Sequence, residues 1–358
     1  MSSQISARAR AVAAAGRSWH GVLGACLDQL DPLPVDANLG VVYLSEALAP
    51  VADEVIHALR ARTGIASWFG ACGTAVLGGI CGEGLSVLVL SLPPAGFRVR
   101  SGPGVAGRTG LLVAHGELDA DGPRALLAEL GTSSAASMAG GLAAGTRQLV
   151  QIADGVLAGS AACLDLAGDQ VAVAGLATAG SPIGPPHRVT SAVDGEILTL
   201  DGRPALAVMT DELGDLFRHS GRRFAPELWV SERTGGLGQE VMRMRRIAEI
   251  DEPRGALRVE GGRLGTELRL MRPDPAGSLA RLRDLAGTLR ARLRGHPPAA
   301  ALYFASRHRG RGLFGPGVDE LEILRGELGR VPLAGVVTDA EIFDGSVHEA
   351  SGVLVLIG

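Results

Sequence analysis

Apolar and polar positions follow the same order in two distant stretches of this chain. Residues 39–91 open on the apolar run LGVVYLS and close on LSVLVLS; residues 301–357 open on ALYFAS and close on SGVLVLI. Inside each lies a loop punctuated by Gly or Pro, then an amphipathic helix opened by an acidic pair, Asp53-Glu54 or Asp319-Glu320. A short apolar strand ending at Gly70 or Gly335 and a polar turn follow, and the interval from Asp53 to Ile65 equals that from Asp319 to Val331. The pattern predicts a mixed α/β fold with two related halves, each carrying one copy of a strand-helix-strand repeat. A junction between related halves is a natural place for a binding site.

The rest of the chain is read by the same rules. Ile5, Val12, Trp19, Val22, Leu23, Leu27 and Leu30 recur at helical steps and predict a helix over 5–30, stopped by DPLP at 31–34. Strands are expected at 85–92, 97–100 and 110–114, a helix at 122–130, and a loop over the small-residue run SSAASMAGGLAAG. Residues 148–212 alternate and carry turn signals at Gly168, Gly184-Pro185 and Asp194-Gly195, as antiparallel strands do. A turn at LDGRPAL leads into a helix near 206–219, short strands fill 228–272, and a long helix spans 277–294. Arg243, Arg245, Arg258 and Arg269 alternate with apolar residues and read as the wet side of half-buried strands. The expected organisation is an N-terminal helix over 1–34 and domains over 35–200 and 201–358.

Composition narrows the function classes. A chain of 358 residues, 46% hydrophobic and 20% charged, is an ordinary globular protein. A net charge of −4, scattered arginines and 3% aromatics argue against nucleic acid. No apolar run reaches the length of a membrane-spanning helix, and the N-terminus lacks the apolar core of a signal peptide. Cys26, Cys72, Cys81 and Cys163 form no zinc-like spacing and fit a reducing, cytoplasmic setting.

Candidate chemistry gathers after the last ALYFAS strand. Gly310-Arg-Gly312-Leu-Phe-Gly315 matches a dinucleotide fingerprint in letters, but Pro316 and Gly317 lengthen the loop and keep the following helix from the phosphates. Dinucleotide binding is therefore not expected. Arg307, His308, Arg309 and Arg311 make the loop cationic, and Asp339 and Glu341 follow the neighbouring strand. A guanidinium beside carboxylates suits a zwitterionic ligand; it equally suits a structural ion pair, and both readings stay open here. Gly310 and Gly335 would let the backbone approach a ligand. Ser306 with His308 makes no nucleophile and base by proximity in sequence alone, and His115 and His187 are isolated histidines rather than a metal set.

These segments resemble the FIST family of small-ligand sensory proteins. The family's C-terminal Cys-x-x-Arg-Gly-x-x-Leu-Phe-Gly aligns with Ser306, Arg309, Gly310, Leu313, Phe314 and Gly315. Val-Pro-Leu-x-Gly is present as Val331 to Gly335, followed by Ala340-Glu341-Ile342 for Gly-Glu-Ile. Pro182-Ile183-Gly184 with Val189-Thr190, the intact Leu200 to Leu206, and Trp68, Gly70, Gly73 and Val76 also match. The chain departs where relatives carry cysteine: Ser306 stands in one place, and Thr178-Ala179-Gly180 replaces Gln-Gly-Cys in the other.

The resemblance implies a small-ligand sensor in signal transduction, with no reaction. Its ligand would be an amino acid or similar zwitterion, haem being the alternative in some relatives. It would act with a separate signalling protein such as a histidine kinase, and a homo-oligomer is compatible with it. The expected ligand-binding set is Ser306, Arg309, Gly310, Gly335, Asp339 and Glu341, with no catalytic residue and no metal. An enzyme built on Ser306, Arg309 and Glu341 is the alternative from a different class.

Overall fold

The computed structural model describes residues 8–16, 18–78, 81–102, 109–118, 126–127, 130, 137–144, 149–214, 228–234, 241–259, 264–315 and 318–358. The first unit contains β1 (Ala9–Ala15), α1 (Trp19–Leu30), β2 (Leu39–Ser45), α2 (Ala52–Thr63), β3 (Ser67–Gly73), the hairpin β4 (Ala75–Leu77) and β5 (Cys81–Gly82), and β6 (Gly84–Leu90). A second unit follows: β7 (Phe97–Ser101), β8 (Thr109–Glu117), helical residues Leu126, Leu127 and Leu130, β9 (Ser137–Ala143), the hairpin β10 (Gln151–Ala153) and β11 (Val156–Leu157), and β12 (Ala162–Ala167). The third opens with β13 (Ala172–Thr178). An inserted module then intervenes: β14 (Ser181–Val193), β15 (Glu196–Leu200), β16 (Arg203–Pro204), α3 (Ala205–Leu213), β17 (Trp229–Thr234), β18 (Val241–Asp251), β19 (Ala256–Val259) and β20 (Glu267–Arg272). The unit resumes with α4 (Pro275–Arg292), β21 (Ala300–Ser306), the short α5 (Arg311–Phe314), α6 (Glu320–Leu328), β22 (Leu333–Thr338), the hairpin β23 (Ala340–Phe343) and β24 (Ser346–His348), and β25 (Ser351–Ile357).

The three units share one pairing scheme. The central strand lies parallel to the strand after the helix, as β2 to β3, β8 to β9 and β21 to β22. It lies antiparallel to the closing strand, as β2 to β6, β8 to β12 and β21 to β25. The opening strand then covers the closing one, as β1 on β6, β7 on β12 and β13 on β25. Each hairpin leaves its own unit: β4 adds to β22, β10 to β3, and β23 to β9. The exchange runs in a ring, so the units form a pseudo-threefold body, and β24 carries the second sheet on into the inserted module through β18.

Register repeats with topology. Gly70 lies opposite Val42, Gly140 opposite Ala114 and Gly335 opposite Tyr303. A Cβ at these glycines would fall 1.7, 1.8 and 2.1 Å from the carbonyl oxygen of that partner, so no other residue fits. One residue further on the central strands stand Tyr43, His115 and Phe304, and their rings meet. Centroids are 5.4 Å apart for Tyr43 and His115, 6.0 Å for Tyr43 and Phe304, and 4.9 Å for His115 and Phe304, all edge to face. These rings sit in one apolar core drawn from all three units. The outer face of the first sheet is covered by α1 and α2, and that of the third by α4 and α6. The second packs Leu127 and Leu130 against Leu112, Met138 and Leu142. Strands buried on both faces have no reason to alternate, and all seven residues of LGVVYLS are buried.

Several expectations need correction. The helix read over 5–30 is a strand followed by a helix: Ala9–Ala15 pairs along its length with β6, and this edge pairing overrides the helical propensity of an alanine-rich run. SSAASMAGGLAAG, read as a loop, contains the buried strand β9; small residues are needed there because Gly140 meets Ala114 and a Cβ on Gly141 would meet Thr338. The helix expected at 206–219 ends at Leu213, and residues 215–219 lie outside the described ones, as do most of 122–130. Arg245 is not on a wet face: it is buried, with Nε 2.8 Å and Nη2 2.6 Å from Glu232 Oε1. Among the described residues no helix is long and apolar enough to cross a membrane.

A candidate ligand cleft beside the third unit

The central strand β21 ends in a polar cluster folded in on itself. Ser306 Oγ accepts hydrogen bonds from the backbone N–H groups of His308 (3.3 Å) and Ala350 (3.2 Å). The backbone then turns at Gly310, φ 64°, into α5, whose Leu313 and Phe314 are buried. Arg309 turns inward. Its Nε and Nη2 donate to Glu320 Oε1 at 2.8 and 2.6 Å, and its Nη1 donates to the Ala177 carbonyl at 3.1 Å. Tyr303 donates to the same Glu320 oxygen at 3.0 Å, and Phe314 lies 5.4 Å from the guanidinium.

Glu341 has other partners. It is wholly buried and accepts from Thr338 Oγ1 at 2.9 Å, and from Ser351 Oγ at 2.5 Å and N at 3.3 Å. Burial pushes its carboxyl well above the usual range, against the lowering effect of these donors. Asp339 Oδ2 accepts from Ala144 N at 2.6 Å, and Arg307 Nε lies 3.0 Å from its Oδ1. The structure thus pairs Arg309 with Glu320 and Arg307 with Asp339. Glu320 was visible in the sequence only as half of an acidic pair opening a helix. Gly335 serves the close pairing of β22 with β21.

The other side of this cluster is the wall of a cleft of about 450 Å³, lying between β13, the β24–β25 turn and the sheet of β14, β17, β18 and β20. Thr178 pairs with Ser351 across β13 and β25, Ala179 donates to the Ala350 carbonyl at 2.8 Å, and Glu341 faces His348 across its hairpin. Thr178, Ala179, His348 and Glu349 all line the cleft. Pro182 and Pro186 border it beside a bulge in β14 between Ile183 and His187. Ser231, Met244, Arg269 and Met271 come from the inserted sheet. Reading Arg269 as the outer side of a strand missed this, because a second wall covers that face; its alternation with apolar residues gave no sign of the wall. Burial raises the Glu349 carboxyl, with Arg243 opposing, and pushes the His348 imidazole down to about 4. Met244 N donates to Glu349 at 3.3 Å. A second groove runs along α2, past Asp53, Glu54, His57 and Arg60.

The isolated histidines are engaged elsewhere. His115 Nε2 meets Tyr43 Oη at 3.2 Å and its Nδ1 meets the Gly141 carbonyl at 3.1 Å, with Phe69 stacked on the ring. His187 is held between Asp201, 2.7 Å from Nδ1, and Glu212, 3.5 Å from Nε2. Both ring nitrogens of His115 are engaged, whereas His187 Nε2 has no hydrogen-bond partner among the described residues and is buried beside the Glu212 carboxylate. Among the described residues no cluster of His, Cys, Asp and Glu could hold a metal ion.

The FIST N domain matches residues 38–203 and the FIST C domain matches residues 205–344. Comparison of the chain with curated proteins returns no match.

Proposed function

The chain belongs to the FIST family, whose domains are small-ligand sensory modules of signal transduction and not catalysts, and on that premise we propose that its ligand is an amino acid or similar small zwitterion held in the cleft beside the third unit. The observation that carries this reading is the make-up of the walls. Pro182, from the segment that resembles the family's Pro-Ile-Gly, lines the cleft beside Thr178 and Ala179, which stand where relatives carry Gln-Gly-Cys. Apolar Leu176, Met244 and Met271 surround a guanidinium, Arg269, and two carboxyls, Glu267 and Glu349, so both signs of charge that a zwitterion needs are present.

Ser306, Arg309, Gly310, Gly335, Asp339 and Glu341 enter this reading as the support behind the wall, holding Ala350 and Ser351 through Ser306 and Glu341. The reading extends to a cytoplasmic protein, supported by four cysteines without a disulfide. The two domain matches meet near residue 200, and the reading includes a signalling partner such as a histidine kinase.

Native mass spectrometry of protein purified from its own host, with an absorption spectrum, tests the proposal. The expected result is a retained mass in the range of a single amino acid and no visible band. A Soret band, or retention of a nucleotide, would refute it.

A further inference from the structure

Arg269 stands in the cleft wall in an unusual state. Its Nε is shut off from solvent without a hydrogen-bond partner among the described residues, and so is Trp229 Nε1. A guanidinium retained half-buried with an open donor is a seat for an anion, because the planar fork can meet a carboxylate with two parallel bonds.

Strand register gathers the rest of the seat. Ser231 lies directly across β17 and β20 from Arg269, and across β17 and β18 from Met244. Trp229, two residues before Ser231 and so on the same face, lies across from Met271. The sheet face lining the cleft therefore shows a guanidinium and a hydroxyl side by side, with Met244 and Met271 beside them and the Glu267 carboxyl two residues before Arg269 on the same strand. Glu349, on the β24–β25 turn, lines the other wall.

We propose that Arg269, with Ser231, seats the carboxylate of the ligand, and that the ligand's side chain is apolar and lies between Met244 and Met271. The amino group then points to the Glu349 wall. This rests on the reading that the cleft is the ligand site. The methionines set the class, since flexible thioethers adapt to branched or aromatic side chains.

The test uses leucine, isoleucine, valine, methionine and phenylalanine with their carboxamides as probes, in calorimetric titrations of the whole protein freed of retained ligand by refolding. Proteins compared are the wild type, Arg269→Gln, Arg269→Lys and Met271→Trp, each checked by circular dichroism for its fold. At least one of the acids should bind the wild type, with its amide weaker by about tenfold or more. Arg269→Gln should cost that acid about tenfold to a hundredfold and its amide less than about threefold, with Arg269→Lys between. Met271→Trp, which fills the cleft, should abolish binding of both. Equal losses for acid and amide in Arg269→Gln, or no loss, would overturn the carboxylate seat while leaving the cleft standing. Failure of all five acids to bind the wild type would overturn the ligand class. Undiminished binding to Met271→Trp would overturn the cleft itself, and with it the reading this proposal rests on.

Discussion

Arg309 places two nitrogens on a single oxygen of Glu320, Nε at 2.8 Å and Nη2 at 2.6 Å, and the guanidinium is sealed from solvent. A buried pair of this kind is costly to break from one side, because the surviving charge stays buried without its partner. Arg309→Ala should lower stability by about 3–5 kcal/mol in urea unfolding. Arg309→Met with Glu320→Leu should lose much less than the two single changes together. Additive losses would mean that the two residues do not act as a pair.

The three interface glycines make a second prediction. Alanine at Gly70, Gly140 or Gly335 must drive its Cβ into the carbonyl of the facing strand, and each substitution should prevent folding or leave a poorly soluble product. Gly287 is the control: it is exposed within α4, an added methyl would meet nothing within 4 Å, and Gly287→Ala should stabilise by about 0.5–1 kcal/mol. Expression yield and the denaturation midpoint read both.

Gly140 also explains how much of the fold was legible. The first and third units announce themselves because LGVVYLS and ALYFAS are long apolar runs and their helices open on paired acids. The second unit hides: five of the seven residues of β9 are serine, alanine or glycine, chosen for close strand contact, and that composition reads as a loop. The exchanged hairpins are beyond any sequence pattern, since their pairing is decided between units. At the site, the acid and the arginine that sequence brought together, Glu341 and Arg309, are each satisfied by other groups. The cleft draws its arginine from a strand whose alternation looked like ordinary surface.

A third prediction concerns Gly180, at the place where relatives carry cysteine. Its φ is 72°, and a Cβ there would lie 2.9 Å from the Arg272 carbonyl oxygen. Gly180→Cys should therefore cost about 1–2 kcal/mol for the left-handed backbone. An unaltered unfolding midpoint would show that the turn differs from the one described.

Acid should weaken the threefold core. Burial pushes His115 down to about 4 from 6.5, so the unfolded chain takes up a proton that the folded protein refuses. The stability tied to this group is complete above pH 6.5 and is lost as pH falls through about 4. His348, lowered to about 4, acts with the same sign. His115→Phe places at this position the ring that Phe304 already provides, and it should flatten the decline between pH 6.5 and 4 without abolishing it. Urea midpoints measured across that interval decide the matter; parallel curves for wild type and variant would assign the acid sensitivity to other groups.

The most direct measurement is a crystal structure of the protein purified from its own host with its ligand retained, its mass known from the native spectrum. The expected result is difference density for one small molecule in the cleft between Arg269 and Glu349, with its acid group toward Arg269. A retained molecule seated anywhere else, such as the groove along α2 beside Asp53 and His57, would contradict the assignment of the cleft.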